Sequence, residues 1–188
     1  RSCLVGSEMC IRDRDTTAPW LETQINNYRA QLVIAIGNNA YRLSNQIHSS
    51  ALIVAGGISG KPNGVPTLSL SSDPNTVLKN IHELLPDVKE LRLVYNDQYN
   101  GWWYQSALKA SKHYGISVIG YQASDLKHGV SLYEQLLTDS NNETSAIWIP
   151  LKSIVPSKTI LPLLLEQAWN KKLSVVSNNP AHTKLGGL

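Results

Sequence analysis

The residue types that most often carry chemistry are sparse in this sequence, and their spacing does not suit it. Ala55-Gly-Gly-Ile-Ser-Gly60-Lys61 follows an apolar run and comes close to a phosphate-cradling loop. In such a loop the residue after the lysine supplies a hydroxyl to Mg²⁺ and opens a helix. Here that residue is Pro62, followed by the turn-forming pair Asn63-Gly64. Ser59 stands among glycines, yet Lys61 occupies the position where a nucleophile elbow needs its second glycine. Cys3 and Cys10 both lie in the first ten residues, which leaves the remaining chain without a thiol nucleophile. His48, His82, His113, His128 and His182 lack the spacing that sets two imidazoles on one metal. No catalytic residue, metal ligand or cofactor is assigned, and the chain is read as a non-enzyme. Asn142-Glu143-Thr144 fits a glycosylation sequon, a pattern common by chance.

Binding chemistry is better represented. Four polar segments directly follow apolar runs: Gly37-Asn38-Asn39-Ala40, Asn96-Asp97-Gln98-Tyr99-Asn100-Gly101-Trp102-Trp103, Pro150-Leu151-Lys152-Ser153 and Asn178-Asn179-Pro180. Open α/β sheets bind their ligands at the carboxyl ends of strands, where these segments would fall. The first precedes a helix, whose free amides and dipole suit an anion, although asparagine is also an ordinary helix cap. The second mixes aromatic and hydrogen-bonding groups in the manner of a small-molecule cleft. One of its two tryptophans is expected to pack beneath the following helix instead.

The elements that would position these segments are legible from periodicity. Leu32–Ile36, Ala51–Ala55, Leu91–Tyr95, Ser117–Tyr121, Ala146–Ile149 and Leu173–Ser177 are short apolar runs rich in β-branched residues, the pattern of strands covered on both faces. Helical patterns separate them over residues 17–28, 40–47, 73–85, 102–114, 130–137 and 160–172. Asp73 with Pro74 reads as a helix start, Gly115 as a stop, and Pro162 as tolerable in a first turn. The later strands start 26 to 29 residues apart, the length of a βα unit. The fold class is therefore α/β with parallel sheets and right-handed crossovers. Gly56 to Ser72 breaks the rhythm with four glycines and two prolines, so two Rossmann-like lobes are expected, residues 15–73 and 74–188.

Composition agrees with a globular chain. Of 188 residues, 42% are apolar and 16% charged, enough to build a core without disulfides. A net charge of +3 with scattered Lys and Arg is no footprint for nucleic acid, and no apolar run approaches the ~20 residues of a membrane span. The opening stretch is discordant: both cysteines and the only methionine, Met9, fall within residues 1–14. That stretch resembles translated sequencing-adaptor read-through of the kind found on metagenomic gene fragments, and it is set aside. The rest is read as a fragment lacking both ends, with any signal peptide missing. Its freedom from cysteine suits an extracytoplasmic protein. The first lobe is accordingly expected to show an exposed apolar sheet edge or face.

Taken together, Glu83-Leu-Leu-Pro-Asp-Val-Lys89 running into Leu93-Val-Tyr-Asn96, then Ala107 to Gly115-Ile116, Ile147-Trp-Ile-Pro150, Val175-Val-Ser177 and Gly186 carry a family likeness. In order and spacing, residues 17 to 188 resemble the substrate-binding proteins of ABC transporters, tryptophan-binding type, with the type I periplasmic-binding-protein fold. The resemblance implies two lobes closing by a hinge on a small ligand, amino-acid-like or otherwise polar or aromatic. It also implies a monomer that docks on a membrane permease and works in the periplasm or, lipid-anchored, outside the cytoplasm. Asn38 and Asn39 would donate from the first lobe, and Gly57 would allow close backbone approach. Asn96, Asp97 and Tyr99 would give polar and stacking contacts, with Lys152 and Asn178 orienting the ligand. The chain departs from the family at Asn38-Asn39-Ala40, where Thr-Pro-Ala is frequent, and at Pro150-Leu151-Lys152-Ser153, where amino-acid binders present Pro-Thr-Asp-Asn. An Asp there would meet an ammonium group, whereas Lys152 favours an anion or a neutral group. The rival expectation is a ligand-sensing module of a signalling protein that uses the same fold.

Overall fold

A computed structural model describes residues 17–61, 64–141 and 143–185. The stretch set aside at residues 1–14 lies outside the described residues, as do Pro62, Asn63 and Asn142. The chain divides into two compact units, one of residues 1–58 with 64–68, the other of residues 59–63 with 69–188.

The first unit contains α1 (Ala18–Asn27), β1 (Leu32–Ile36), α2 (Asn38–Ser44), β2 (Leu52–Ile58) and most of β3 (Thr67–Ser69), in a sheet of order β1-β2-β3. β1 and β2 are parallel, with Leu32 opposite Leu52 and Ile36 opposite Gly56. Strand alternation sends Val33, Ala35, Ile53 and Ala55 to one face, where they meet Ile25, Tyr41 and Ile47. The other face carries Leu32, Ile34, Ile36 and Leu52, which remain 48%, 64%, 75% and 60% exposed. These runs therefore do not sit between two layers as their composition suggests; the expected bare face is present. β2 also extends past Ala55, taking Gly56 and Gly57 into the strand, and Gly57 adopts a left-handed φ of 66°.

The second unit alternates strictly: α3 (Pro74–Leu84), β4 (Glu90–Tyr95), α4 (Gly101–Ser111), β5 (Ser117–Gln122), α5 (Leu126–Asp139), β6 (Ser145–Ile149), α6 (Ser157–Asn170) and β7 (Ser174–Ser177), then a 3₁₀ turn over Pro180–Leu185. The sheet order is β5-β4-β6-β7, and each neighbouring pair is parallel. One face is covered by Leu132, Tyr133, Leu136, Ile160 and Leu164 of α5 and α6, which pack on Val94, Ile147, Ile149 and Val175. The other is covered by Leu78, Ile81, Trp103 and Ala107 of α3 and α4, which pack on Leu91, Leu93, Trp148 and Val176. β6, central and wholly buried, is the spine of this unit.

Helix ends follow capping chemistry more than apolar periodicity. Asp73 accepts from the Thr76 amide at 3.4 Å, with Pro74 at the first helical position, as its sequence predicts. α5 begins four residues before its apolar stripe because Asp125 accepts from the His128 amide at 2.8 Å. α6 begins at Ser157, so Pro162 is its sixth residue and not a first-turn proline. Pro162 offers no amide to the Lys158 carbonyl, and both residues face solvent, where water can serve. α4 stops at Ser111, one turn before the expected end, and Gly115 (φ 65°) then turns the chain into β5.

Candidate functional site

In the second unit, the carboxyl ends of β4, β6 and β7 bring three of the four polar segments together. The β4–α4 loop is built on Asn96. Its carbonyl accepts from the amides of Tyr99, Asn100 and Gly101 at 3.1, 2.9 and 3.1 Å. Its side chain donates to the Ala123 carbonyl at 2.7 Å and accepts from the Gln98 amide at 3.0 Å. Asn96 thus holds the loop through its carbonyl and both polar atoms of its side chain. Asn100, only 4% exposed, completes the lock: Oδ1 accepts from the Asn96 amide at 2.8 Å, and Nδ2 donates to the Lys152 carbonyl at 2.9 Å. That second bond ties the β4–α4 loop to the β6–α6 loop. Asp97 is exposed and accepts from Gln122 Nε2 at 2.7 Å, so it too serves the neighbouring strand end.

Between these loops lies a shallow, open hollow with an enclosed space of about 10 Å³, lined chiefly by Tyr99, Asn100, Trp102, Leu151, Lys152 and Asn178. Ser59 and Ser71 stand at its margin. The two adjacent tryptophans divide as expected. Trp103, 2% exposed, packs edge-on against Trp148 with ring centroids 4.0 Å apart and donates to the Ser72 carbonyl at 3.0 Å. Trp102 stays half-buried in the wall. Tyr99 is 38% exposed, and the Lys152 ammonium lies 5.3 Å from the centre of its ring, within cation–π range. Among the described residues no carboxylate lies within ion-pair distance of Lys152. Asn178 is 9% exposed, and its Oδ1 accepts the indole N–H of Trp148.

The first unit holds the other predicted residues at the ends of its own strands. Asn38 and Asn39 open α2 and are exposed, after Gly37 (φ 87°) at the cap position. The Gly37 amide bonds to the Gly56 carbonyl at 2.8 Å, joining the ends of β1 and β2. A Cβ built on Gly57 would touch only Ile36 and the Gly37 amide, both at 3.9 Å, so its left-handed backbone, not crowding, is what calls for glycine there.

Other polar clusters have structural explanations. Ser177 Oγ lies 2.7 Å from His182 Nδ1, and Asn179 Nδ2 lies 3.2 Å from His182 Nε2, a serine–histidine arrangement at first sight. The Ala181 amide donates to Asn179 Oδ1 at 3.0 Å, which orients the Asn179 amide so that Nδ2 donates to Nε2. The ring proton then sits on Nδ1 and points at the serine oxygen, so the histidine cannot take the serine's proton. Burial holds His182 below its ordinary pKa. Arg92, Glu90, Tyr121 and Asp139 form a chain in which Arg92 bonds to Tyr121 at 2.6 Å and to Glu90 at 2.7 Å, and Tyr121 donates to Asp139 at 2.8 Å; it ties β4 to β5 and α5. Among the described residues no three His, Cys, Asp or Glu side chains are grouped to hold a metal, and no helix is long and apolar enough to cross a membrane.

Sequence reasoning missed the structural weight of Asn100 and the place of Trp102 and Leu151 in the wall. The signal available was position alone, since all three sit in the polar strand-end segments already singled out.

No protein-family profile matches the chain, and no curated protein matches it. Solved structures do. The ABC domain in complex with L-Trp from Streptococcus pneumonia superposes with a TM-score of 0.59 at 16% identity, covering 91% of this chain and 61% of that one. A substrate-binding protein with adhesive properties from Clostridium difficile, in its ligand-free open form, gives 0.57 at 14% identity, covering 85% and 57%. A LacI transcriptional regulator from Lactobacillus brevis gives 0.54 at 11% identity, covering 89% and 67%. The fold is that of the type I periplasmic binding proteins. The chain spans about three-fifths of the length of the first two of these structures.

Proposed function

We propose that this chain is the ligand-binding part of an extracytoplasmic solute-binding protein that serves an ABC importer. The observation that carries this reading is the hollow at the carboxyl ends of β4, β6 and β7, walled by partly exposed Tyr99 and Trp102 with Lys152 and Asn178 beside them. A rigid two-faced sheet that presents aromatic and polar groups on tied loops is what small-molecule recognition uses. The likeness in fold to an ABC domain in complex with L-Trp and to a substrate-binding protein supports it. In this reading the two units are the lobes of a monomeric binder, the ligand stabilises a closed form, and a permease recognises that form. Tyr99, Lys152 and Asn178 are the contacts from the second unit, Asn38, Asn39 and Gly57 those from the first, and Asn96 and Asp97 hold the loop behind them. No chemical step is assigned to the protein.

The test is thermal denaturation of the full chain against a panel of amino acids, carboxylates, amines and sugars. A true ligand at a hundred times its Kd adds about 2.7 kcal/mol and raises the transition by several degrees. Absence of any shift across the panel at millimolar solute overturns the reading. The likeness to a LacI regulator favours a second reading, a sensor that reports its ligand without transport. Permease and ATPase genes beside this gene support the importer, and a kinase or cyclase domain continuing the reading frame supports the sensor.

A further inference from the structure

The polar atoms around the His182 ring are all committed to one protonation state. Ser177 Oγ accepts from the Asn179 amide at 3.1 Å and donates to the Ile149 carbonyl at 3.4 Å, so its remaining lone pair takes the Nδ1 proton. Nε2 accepts from Asn179 Nδ2 at 3.2 Å, and the Ala181 amide holds Asn179 Oδ1 at 3.0 Å. With the ring only 4% exposed, the neutral imidazole satisfies every one of these bonds. A second ring proton cannot be housed in the same turn. On Nε2 it meets an N–H of Asn179. If that amide flips to present Oδ1, its Nδ2 is aimed at the Ala181 N–H instead. Donor faces donor in either arrangement, and both are costly at a buried site.

No described charge offsets this. β6 and β7, whose ends the turn adjoins, carry no ionisable side chain. Lys184 on the turn itself is exposed, and the Lys152 ammonium of the neighbouring loop lies over Tyr99. Burial is the sole cause of the lowered His182 pKa. We infer that His182 is a proton-operated latch on the segment that follows β7: neutral, it pins residues 178–182, and protonated, it releases them while the sheet beneath stays folded. That segment includes Asn178, so the β7 end of the candidate site is firm at neutral pH and loose in acid. The latch goes beyond the solute-binding reading and does not depend on it. The closed turn disfavours the proton relative to the open one. Opening is therefore constant above about pH 6.5 and grows as pH falls below it, until the closed form itself titrates.

Hydrogen exchange of the full chain, followed by NMR from about pH 8 to pH 5 and corrected for the intrinsic pH dependence of exchange, reads the latch. The reporters are the Asn179, Ala181 and His182 amides, whose acceptors are Ser177 Oγ, Asn179 Oδ1 and the Asn179 carbonyl. Their protection should fall several-fold below about pH 6.5, in step with the His182 ring titration, while the amides of β4 and β6 keep theirs. Asn179→Asp is the discriminating variant. One carboxylate oxygen keeps the Ala181 amide and the other offers Nε2–H an acceptor, so His182 titrates above its ordinary value. The dependence then reverses, and the turn loosens as pH rises. Constant protection of the turn across the range, a loss shared by β4 and β6, or an unreversed dependence in Asn179→Asp overturns the inference. Should that variant not fold, the comparison of turn and sheet in the unmodified protein decides alone.

Discussion

Asn100 is the side chain on which the geometry of the hollow depends, and substituting it gives a sharp test of that geometry. Asn100→Ala removes two hydrogen bonds at a site only 4% exposed: one to the buried Asn96 amide at 2.8 Å, one to the Lys152 carbonyl at 2.9 Å. The buried amide is left without a partner, and the half-buried carbonyl is only partly rescued by water. Together these should cost about 2–3 kcal/mol, a large fraction of the stability of a domain this size. Urea denaturation followed by circular dichroism reads it as a fall in midpoint at constant slope. Asn100→Asp is more discriminating. One carboxylate oxygen still accepts from Asn96, but the other faces the Lys152 carbonyl, where a donor is required. That contact raises the pKa of the new carboxyl above its unfolded value. The folded state then binds more protons than the unfolded state in the acid range, so the loss of stability shrinks as pH falls through that raised pKa. A loss below about 0.5 kcal/mol for Asn100→Ala, or a pH-independent loss for Asn100→Asp, would refute the proposed lock.

Three further outcomes follow from other parts of the fold. Burial lowers the pKa of His182, so its contribution to stability is complete above the unfolded value of about 6.5 and is lost as pH falls through the folded one. His182→Gln should flatten the midpoint-against-pH curve below about pH 6.5, and an unchanged curve counts against it. Gly129→Ala gains helix propensity in α5, yet its Cβ would lie 2.7 Å from Val155 and 3.2 Å from Ile154. A net loss of about 1–3 kcal/mol is expected, largely relieved in the double variant with Val155→Ala; additive losses would show that the crowding is not the cause. Ile34→Thr on the bare face of the first unit should change stability by no more than about 0.5 kcal/mol, whereas Ala35→Asp on the covered face, 4% exposed, should unfold that unit. Equal effects on the two faces, read by hydrogen exchange, would contradict the assignment of faces.

The α/β class, the parallel sheets and the strand positions were legible because buried parallel strands leave continuous apolar runs at a βα pitch. Gly56 and Gly57 misled the end of β2, since a strand end can absorb glycines that composition assigns to a loop. Pro162 was misplaced because Pro156, six residues earlier, already supplies the helix start. Bare and covered faces of β1 and β2 look alike in sequence; Ile34 and Ala35 differ only in what lies above them. Strand-end segments were correctly marked as polar, but which of their residues hold the loop and which face outward depends on long-range bonds. Asn100 to Lys152 spans 52 positions, and no local pattern announces it.

The tryptophans give the protein an optical record of this site. All five are at known depths: Trp20 and Trp169 are 44% and 81% exposed, Trp103 and Trp148 are buried, and Trp102 is half-buried in the wall of the hollow. Exposed indoles emit to the red and are readily quenched by iodide, so their light can be removed selectively. The residual emission comes chiefly from the Trp103–Trp148 pair, and the Trp148 N–H is bound to Asn178, the residue whose amide faces the hollow. Any change in the electrostatics at that amide is one side chain away from a fluorophore. The unlabelled protein is therefore its own reporter, and occupancy of the hollow becomes a spectral shift in the quencher-resistant band.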